Sequence, residues 1–216
     1  MYNLFRWKND DGSSTRKKNA LKRLKNSLNG SEMTKRFSGY LQNDAHEFMN
    51  ICLDQMKEEV QEALGEKSED IAAKVCPVVR NFEGSLRKYI KCKGCKDVVT
   101  KDELFNHLSL NIPHNQSRSP TKVQLTRLLG RFFQAEELER SCEKCKCATA
   151  VQYLKIRTLP RVIILHLLRS EFDQYRGTQE KNSHRIQVDR FLEIGSFCSS
   201  DISGPPPFVP KKTSHV

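Results

Sequence analysis

Cys92-Lys93-Gly94-Cys95 and its counterpart Cys142-Glu143-Lys144-Cys145 are the two stretches on which the fold depends. Each CxxC pair brings two sulfur atoms to a shared point when it lies on a tight turn, and two such turns complete a tetrahedron around one Zn²⁺ ion. A closed set of four thiolates leaves no position for water or substrate, so such a site holds the fold together. The sequence therefore predicts one structural zinc ion, with Cys92, Cys95, Cys142 and Cys145 as its ligands.

The spacing between the two pairs leaves some alternatives open. The 46 residues between Cys95 and Cys142 exceed the gap of a compact zinc ribbon, so an inserted hairpin and helix must bring the pairs together. Cys147 is a spare thiol that could compete as a ligand, and four cysteines without metal are the less favoured alternative. Cys52 and Cys76 are expected to be ordinary buried thiols.

Hydrophobic periodicity predicts an α+β fold. Helical spacing occurs in residues 16–28, 45–64 and 125–133, and Asp44 can cap the second of these helices. Strand patterns occur in Val78–Tyr89, Val98–Leu110 and Val151–Leu159, and Val162–Leu168 is apolar enough for a central strand covered on both faces. The first CxxC pair is thus expected at a hairpin tip, and the second is expected to follow a helix.

Composition excludes some classes of protein. No apolar stretch approaches the roughly 20 residues of a membrane helix, and the N-terminus lacks a signal core, so we expect an intracellular protein without a membrane partner. The net charge of +11 raises the question of nucleic acid. However, the basic residues of 16–25 fit the solvated face of a helix, and the lysines around the cysteines offset thiolate charge. Nucleic acid is therefore not expected as a partner.

Three blocks of sequence, read in order, carry a family resemblance. They are Ser38–Phe48 with Leu53-Asp54, Phe82-Glu83-Gly84 leading into the first CxxC pair, and Leu159–Leu167 with Arg169. Together they resemble the ubiquitin-specific proteases, which are papain-like cysteine deubiquitinases. The sequences of Phe37–Leu53 and Ala135–Cys145 are most similar to those of the vertebrate subgroup studied in germ cells and the cell cycle. Departures from the family pattern are Asn43 beside the helix start, and Leu168 and Ser170 flanking Arg169.

The resemblance implies a partial thumb-palm-fingers fold, with the four-cysteine zinc ribbon in the fingers. Residues 1–15 would form a flexible N-terminus and 16–198 a truncated catalytic domain, followed by a proline-rich tail at 199–216. Within that domain, 16–65 would be a helical remnant of the thumb and 76–198 the fingers and palm. Ubiquitin or ubiquitinated proteins would be the partners.

The resemblance also implies a site for the C-terminal tail of ubiquitin. Gln42, Asp44 and Glu47 occupy the region where acidic and amide side chains of the family meet that basic tail. A carboxylate at a helix start can accept charge-assisted hydrogen bonds from arginine. The alternative is that Asp44 and Glu47 form only a capping box, and one carboxylate could do both.

Catalytic residues are expected to be absent. The family takes its nucleophile from an Asn-Thr-Cys segment and its histidine from a Gly-His-Tyr segment, and neither segment occurs in these 216 residues. His46 and His166 lack the context of a catalytic base, so no residue is assigned a catalytic role. The leading hypothesis is a cysteine-type deubiquitinase domain, a hydrolase by family, that is truncated and inactive as given. The alternatives of a fragment, a partial gene model and a degenerate copy, or pseudoenzyme, stay open. The alternatives are a non-catalytic ubiquitin-binding or scaffold module and, less favoured, a zinc-ribbon nucleic-acid binder.

Overall fold

A computed structural model of the chain describes residues 14–27, 37, 44–65, 75–113, 122–173 and 177–205. The chain divides into two compact units, residues 1–78 and 79–216. None of the described helices combines the length and the apolar composition needed to cross a bilayer.

The first unit contains the helices α1 (Ser14–Ser27) and α2 (Ala45–Leu64). The Asp44 carboxylate accepts a hydrogen bond from the His46 amide at 2.7 Å, which satisfies one of the free donors at the start of α2. Gly65 ends the helix with φ 64°, a conformation that glycine adopts without steric cost. Both predicted helices are confirmed, and Cys52 on the α2 stripe is buried as expected, as is Cys76.

A short helix, α3 (Pro77–Phe82), precedes the first strand. The predicted strand Val78–Tyr89 is therefore wrong over its first residues, because the strand begins at Gly84. Pro77 occupies the first helical position, where its fixed φ favours helix and its missing N–H is not needed. Val78 is fully buried from this helix, so its hydrophobicity signals burial rather than a strand.

The described residues of the second unit form eleven strands, a further helix and a 3₁₀ turn. In chain order these are β1 (Gly84–Cys92), β2 (Val98–Phe105), β3 (His107–Asn111), β4 (Lys122–Gln124), α4 (Leu125–Phe132), β5 (Glu136–Glu139), β6 (Thr149–Thr158), β7 (Ile164–Leu168), β8 (Ser170–Asp173), β9 (Thr178–Lys181), β10 (Arg185–Gln187), the 3₁₀ turn Gly195–Phe197 and β11 (Cys198–Ser203). Apart from α4, the described helices come before the strands, which is the arrangement of the predicted α+β class.

The largest sheet has the strand order β11-β6-β1-β2. β1 pairs antiparallel with β2 on one side and with β6 on the other. The far edge of β6 is shared, because β5 pairs antiparallel with one end of it and β11 pairs parallel with the other end. Three two-stranded sheets, β3-β7, β4-β10 and β8-β9, complete the described part of this unit.

The core lies where α4 packs against β3 and β4. It includes Leu108, Leu110, Leu128, Leu129 and Ile156, none of which is more than 2% exposed. The spacing of Leu125, Leu128 and Leu129 places one apolar face of α4 on this core. This packing supports the base of the large sheet.

Two predictions near the end of the chain need correction. The run Val162–Leu168 forms a strand only from Ile164, and among the described residues β7 pairs with β3 alone rather than lying at the centre of a sheet. Val162 is 46% exposed, so an apolar run does not guarantee burial along its whole length. Residues 199–203, which the sequence assigned to the tail, belong to β11, a mostly polar strand without an apolar strand signal.

Candidate metal centre

The two CxxC pairs lie on the tips of neighbouring hairpins. Cys92 ends β1 at the β1–β2 turn, as predicted, and Cys142–Cys145 lies on the turn between β5 and β6. The second pair does not follow the helix directly, because β5 intervenes. The acid-rich sequence of β5, Glu136–Glu139, has no hydrophobic alternation, so this strand was not predicted. Since Cys92 is opposite Ala150 in the β1–β6 register, both tips lie at the same end of the sheet.

The two turns have the same backbone geometry. The amide of Cys92 donates to the carbonyl of Asp97 at 2.9 Å, and the amide of Cys142 donates to the carbonyl of Cys147 at 2.9 Å. The residue after each second cysteine has a left-handed backbone, with φ 64° at Lys96 and 59° at Lys146. The repeated geometry points the sulfurs of both turns inward.

The four sulfur atoms form a compact cluster. All lie within 4.8 Å of one another, with 3.5 Å between Cys92 and Cys145 and 3.7 Å between Cys95 and Cys142. Tetrahedral Zn–S bonds of about 2.3 Å require sulfur separations of about 3.8 Å. The predicted ligand set is therefore brought together with the dimensions of one structural zinc ion.

Electrostatics around the cluster favour a bound cation. Burial raises the pKa of the Cys92 thiol to about 12, whereas backbone hydrogen bonds, chiefly from the Cys147 amide, lower the pKa of Cys145 to about 7. The Cys145 and Lys144 amides likewise lower the pKa of Cys142. A divalent metal binds the thiolate form of all four side chains, including the buried one. When bound, the zinc ion would crosslink the two hairpins.

Close packing leaves no room for side chains between the turns. A methyl group on Gly94 would lie 3.0 Å from the Cys145 sulfur and 3.0 Å from the Cys147 Cβ atom. Cys147, left open by the sequence as a competing ligand, points its sulfur to the Thr149 carbonyl at 3.6 Å and is not part of the cluster.

The lysines near the cysteines do more than offset thiolate charge. Lys144 Nζ lies 2.6 Å from Asp97 Oδ1 and so joins one turn to the other. Lys93 pairs with Glu137 on β5, and Lys96 donates to the Lys93 carbonyl at 2.7 Å. These contacts brace the two turns against each other.

The structure describes two of the three residues predicted to contact the ubiquitin tail. Gln42 lies outside the described residues, Asp44 caps α2, and Glu47 lies in its first turn. His46 Nε2 is 3.1 Å from Asn50 Nδ2, and His166 Nδ1 is 3.3 Å from the Ser109 hydroxyl. The assignment of Gln42, Asp44 and Glu47 to ubiquitin binding stays a prediction.

The sequence did not predict a network of ion pairs that crosses the large sheet. Arg87 on β1 contacts Asp102 on β2 at 2.7 Å and Asp201 on β11 at 2.9 Å, and Arg157 on β6 lies 3.4 Å from Asp201. The register opposes Arg87 to Asp102, so a correct hairpin alignment could have found that pair. The pairs with Asp201 depend on β11, which has no sequence signal.

Taken together, the fold and the site define a class: α+β proteins in which two zinc-linked hairpins extend from a mixed sheet. Residues 3–206 match the family described as ubiquitin carboxyl-terminal hydrolase, and the chain belongs to this family. It is 38% identical to human ubiquitin carboxyl-terminal hydrolase 37 over 97% of the chain, and 35% identical to human hydrolase 26 over 79%. The chain spans about a fifth of the length of these relatives, 22% and 20% respectively.

Solved structures have the same fold. A chain of the SAGA DUB module Ubp8/Sgf11/Sus1/Sgf73 bound to monoubiquitin is 30% identical, with a TM-score of 0.63 over 77% of this chain and 36% of that one. A second structure of this module, bound to ubiquitin aldehyde, has a TM-score of 0.60 at 30% identity over 76% and 35% of the two chains. The predicted family and fold class are confirmed.

Proposed function

We propose that these 216 residues form a ubiquitin-binding part of a deubiquitinase domain and do not cleave ubiquitin by themselves. In this proposal, residues 16–65 correspond to part of the thumb and the segment from 76 to the end of β11 to the fingers and palm. The supporting observation is the likeness, over 77% of this chain, to a structure bound to monoubiquitin. An intracellular location is proposed with it, where reduced thiols such as the eight free cysteines persist.

The environments of the cysteines support the absence of a nucleophile. A catalytic thiol needs a nearby base and a lowered pKa. The thiols with a clearly lowered pKa are Cys142, Cys145 and Cys147, all in the second zinc turn. Burial raises the pKa of Cys52 and of Cys198, whose sulfur contacts the Ile194 carbonyl at 3.4 Å.

The start of α2 is the proposed contact for the ubiquitin tail. Asp44 is exposed, and one of its carboxylate oxygens accepts the bond from the His46 amide. A carboxylate has about four acceptor positions, so Asp44 can cap the helix and still bind an arginine of the tail. Gln42 and Glu47 would flank this contact.

Titration of isotope-labelled ubiquitin with the zinc-loaded chain tests the binding. Asp44→Ser keeps an oxygen that caps the helix but removes the charge, so the melting temperature should stay the same while ubiquitin affinity falls roughly tenfold. Glu62→Gln, at the exposed far end of the same helix, is the matched control and should bind like the parent. No binding at millimolar concentration would refute ubiquitin recognition, and equal affinity of the Asp44→Ser variant would refute the tail contact.

A ubiquitin vinyl sulfone probe separately tests the second part of the proposal, that the chain does not cleave ubiquitin by itself. The chain should remain unlabelled, because the thiols with a clearly lowered pKa belong to the second zinc turn. Covalent labelling, mapped to any cysteine by mass spectrometry, would contradict the proposal. The two experiments fail independently, since a chain can bind ubiquitin without reacting with it.

A further inference from the structure

The helix α1 carries an unusual concentration of positive charge. Its 14 residues include six basic side chains and no acidic one. Arg16, Lys18, Lys22 and Arg23 are all exposed, and none of them forms an ion pair in the described part of the chain. Exposure alone is also expected of a helix face that only contacts water. The arrangement of the side chains around the helix distinguishes such a face from one that binds a partner.

Two asparagines lie at the centre of the exposed face. At about 100° per residue, Asn19 and Asn26 project within about 20° of each other. Lys18 and Lys22 lie on one side of them, and Arg16 and Arg23 lie on the other, all within about 90°. Outside this face lie Ala20, Leu24 and a fifth cation, Lys17, all of which are half-buried. The polar face therefore has amides along its middle and cations along both flanks.

This order fits the major groove of duplex DNA. The groove is about 12 Å wide, admits one α-helix and has a row of phosphates along each wall. Cations on both flanks can reach the two rows at once, and an asparagine amide can donate to and accept from an adenine edge. An A-form RNA duplex has a major groove too narrow for side chains to read.

Other anionic partners match the face less well. A membrane-surface helix needs a broad apolar side, but the apolar side of α1 offers solvent mainly Leu21, which is 47% exposed. An acidic protein surface would meet one side of a helix rather than both flanks. From this arrangement we propose that α1 is a DNA-binding helix, with Arg16, Lys18, Lys22 and Arg23 on phosphates and Asn19 and Asn26 on base edges.

Fluorescence anisotropy with a short labelled DNA duplex, over a series of salt concentrations, tests the phosphate contacts. Four contacts predict a slope of log K against log salt of about −3.6, and the triple variant Lys18→Gln, Lys22→Gln, Arg23→Gln should reduce it to about −0.9. Glutamine keeps the helix propensity of lysine and arginine, so α1 should remain folded. Lys122→Gln, Arg127→Gln, Arg131→Gln removes the same charge from exposed positions on β4 and α4 and should leave the slope unchanged.

The outcomes are distinct. An unchanged slope in the α1 variant, or an equal loss in the α4 control, would overturn the proposal. Equal affinity for an RNA duplex or for polyglutamate would also overturn it, since neither presents a readable wide groove. Selection from a pool of random duplexes tests the amides. The parent should enrich a sequence, and Asn19→Ala, Asn26→Ala should abolish the enrichment without changing the salt slope, whereas no enrichment by the parent would refute base recognition.

Discussion

At the scale of single residues, Gly94 controls how closely the two zinc turns approach. Its Cα faces the sulfur of Cys145 and the Cβ atom of Cys147 across the gap between the hairpins. Real Cβ atoms rarely lie as close to other atoms as 3.0 Å, so an added methyl group would force the second turn to move. Glycine is needed here for space between the turns.

Gly94→Ala should therefore weaken zinc binding by about tenfold or more, because overpacking displaces Cys145 from the tetrahedron. Competition with a colorimetric chelator measures the affinity. Gly130→Ala is the matched control, since nothing lies within 4 Å of the added methyl group and alanine favours the helix α4. Equal affinity of both variants would contradict the steric role of Gly94.

At the scale of elements, ion pairs of the side chains add to an irregular backbone pairing in holding β11 to the sheet. Its register with β6 is irregular between Cys198 and Ser203. The Asp201 carboxylate contacts Arg87 at 2.9 Å and Arg157 at 3.4 Å, and Arg157 Nη1 also donates to the Asp201 carbonyl at 2.9 Å. These contacts link the outer strand to the two central ones.

Asp201→Asn should release β11 and lower the melting temperature by a few degrees, a modest loss because the carboxylate is half exposed. The nearby Ser199 hydroxyl and the Arg157 and Arg87 guanidinium groups lower the pKa of Asp201 below its usual 3.8. The stabilisation is therefore present above that pH and lost as pH falls through the lower value. Thermal unfolding above and below pH 4 measures both effects. Glu193→Gln, which removes another exposed carboxylate, should not change the melting temperature. An equal change would refute the role of the Asp201 ion pairs in holding β11.

At the scale of the whole molecule, zinc links parts of the second unit that are far apart in sequence. The hairpins β1–β2 and β5–β6 are joined by the pairing of β1 with β6, and their tips meet at the cysteine cluster and at the Lys144–Asp97 ion pair. Binding to such four-thiolate sites is worth on the order of 10 to 16 kcal/mol, which is comparable to the stability of a domain.

Removing zinc with a chelator should therefore unfold the hairpins, lower the melting temperature and reduce the strand signal in circular dichroism. Re-addition of Zn²⁺ should restore both, and Mg²⁺ should not, because thiolates prefer the softer metal. Cys92→Ser should behave like the chelated protein, whereas Cys147→Ser should keep the metal. A chelator without effect on melting would contradict a structural zinc site.

The sequence alone determined the features that depend on local pattern. The apolar stripe of α2 with its Asp44 cap, the amphipathic α4 and the four cysteines in CxxC pairs were all predictable, because helix periodicity and metal-ligand spacing are written into neighbouring residues. The order of the family blocks likewise needed no coordinates. The strand prediction at Val78 was wrong because β-branched residues also occur in buried helical turns.

Only the tertiary structure decided which distant residues meet. β5 and β11 are polar edge strands without hydrophobic alternation, so their places beside β6 follow from pairing with strands already formed. Three contacts depend on the pairing of β5 and β11 with β6. They are the contact between Gly94 and the second turn, the position of Cys147 outside the cluster, and the ion pairs of Asp201. Local sequence limits which elements form, whereas contacts between elements depend on register and packing across the whole chain, which no short pattern contains.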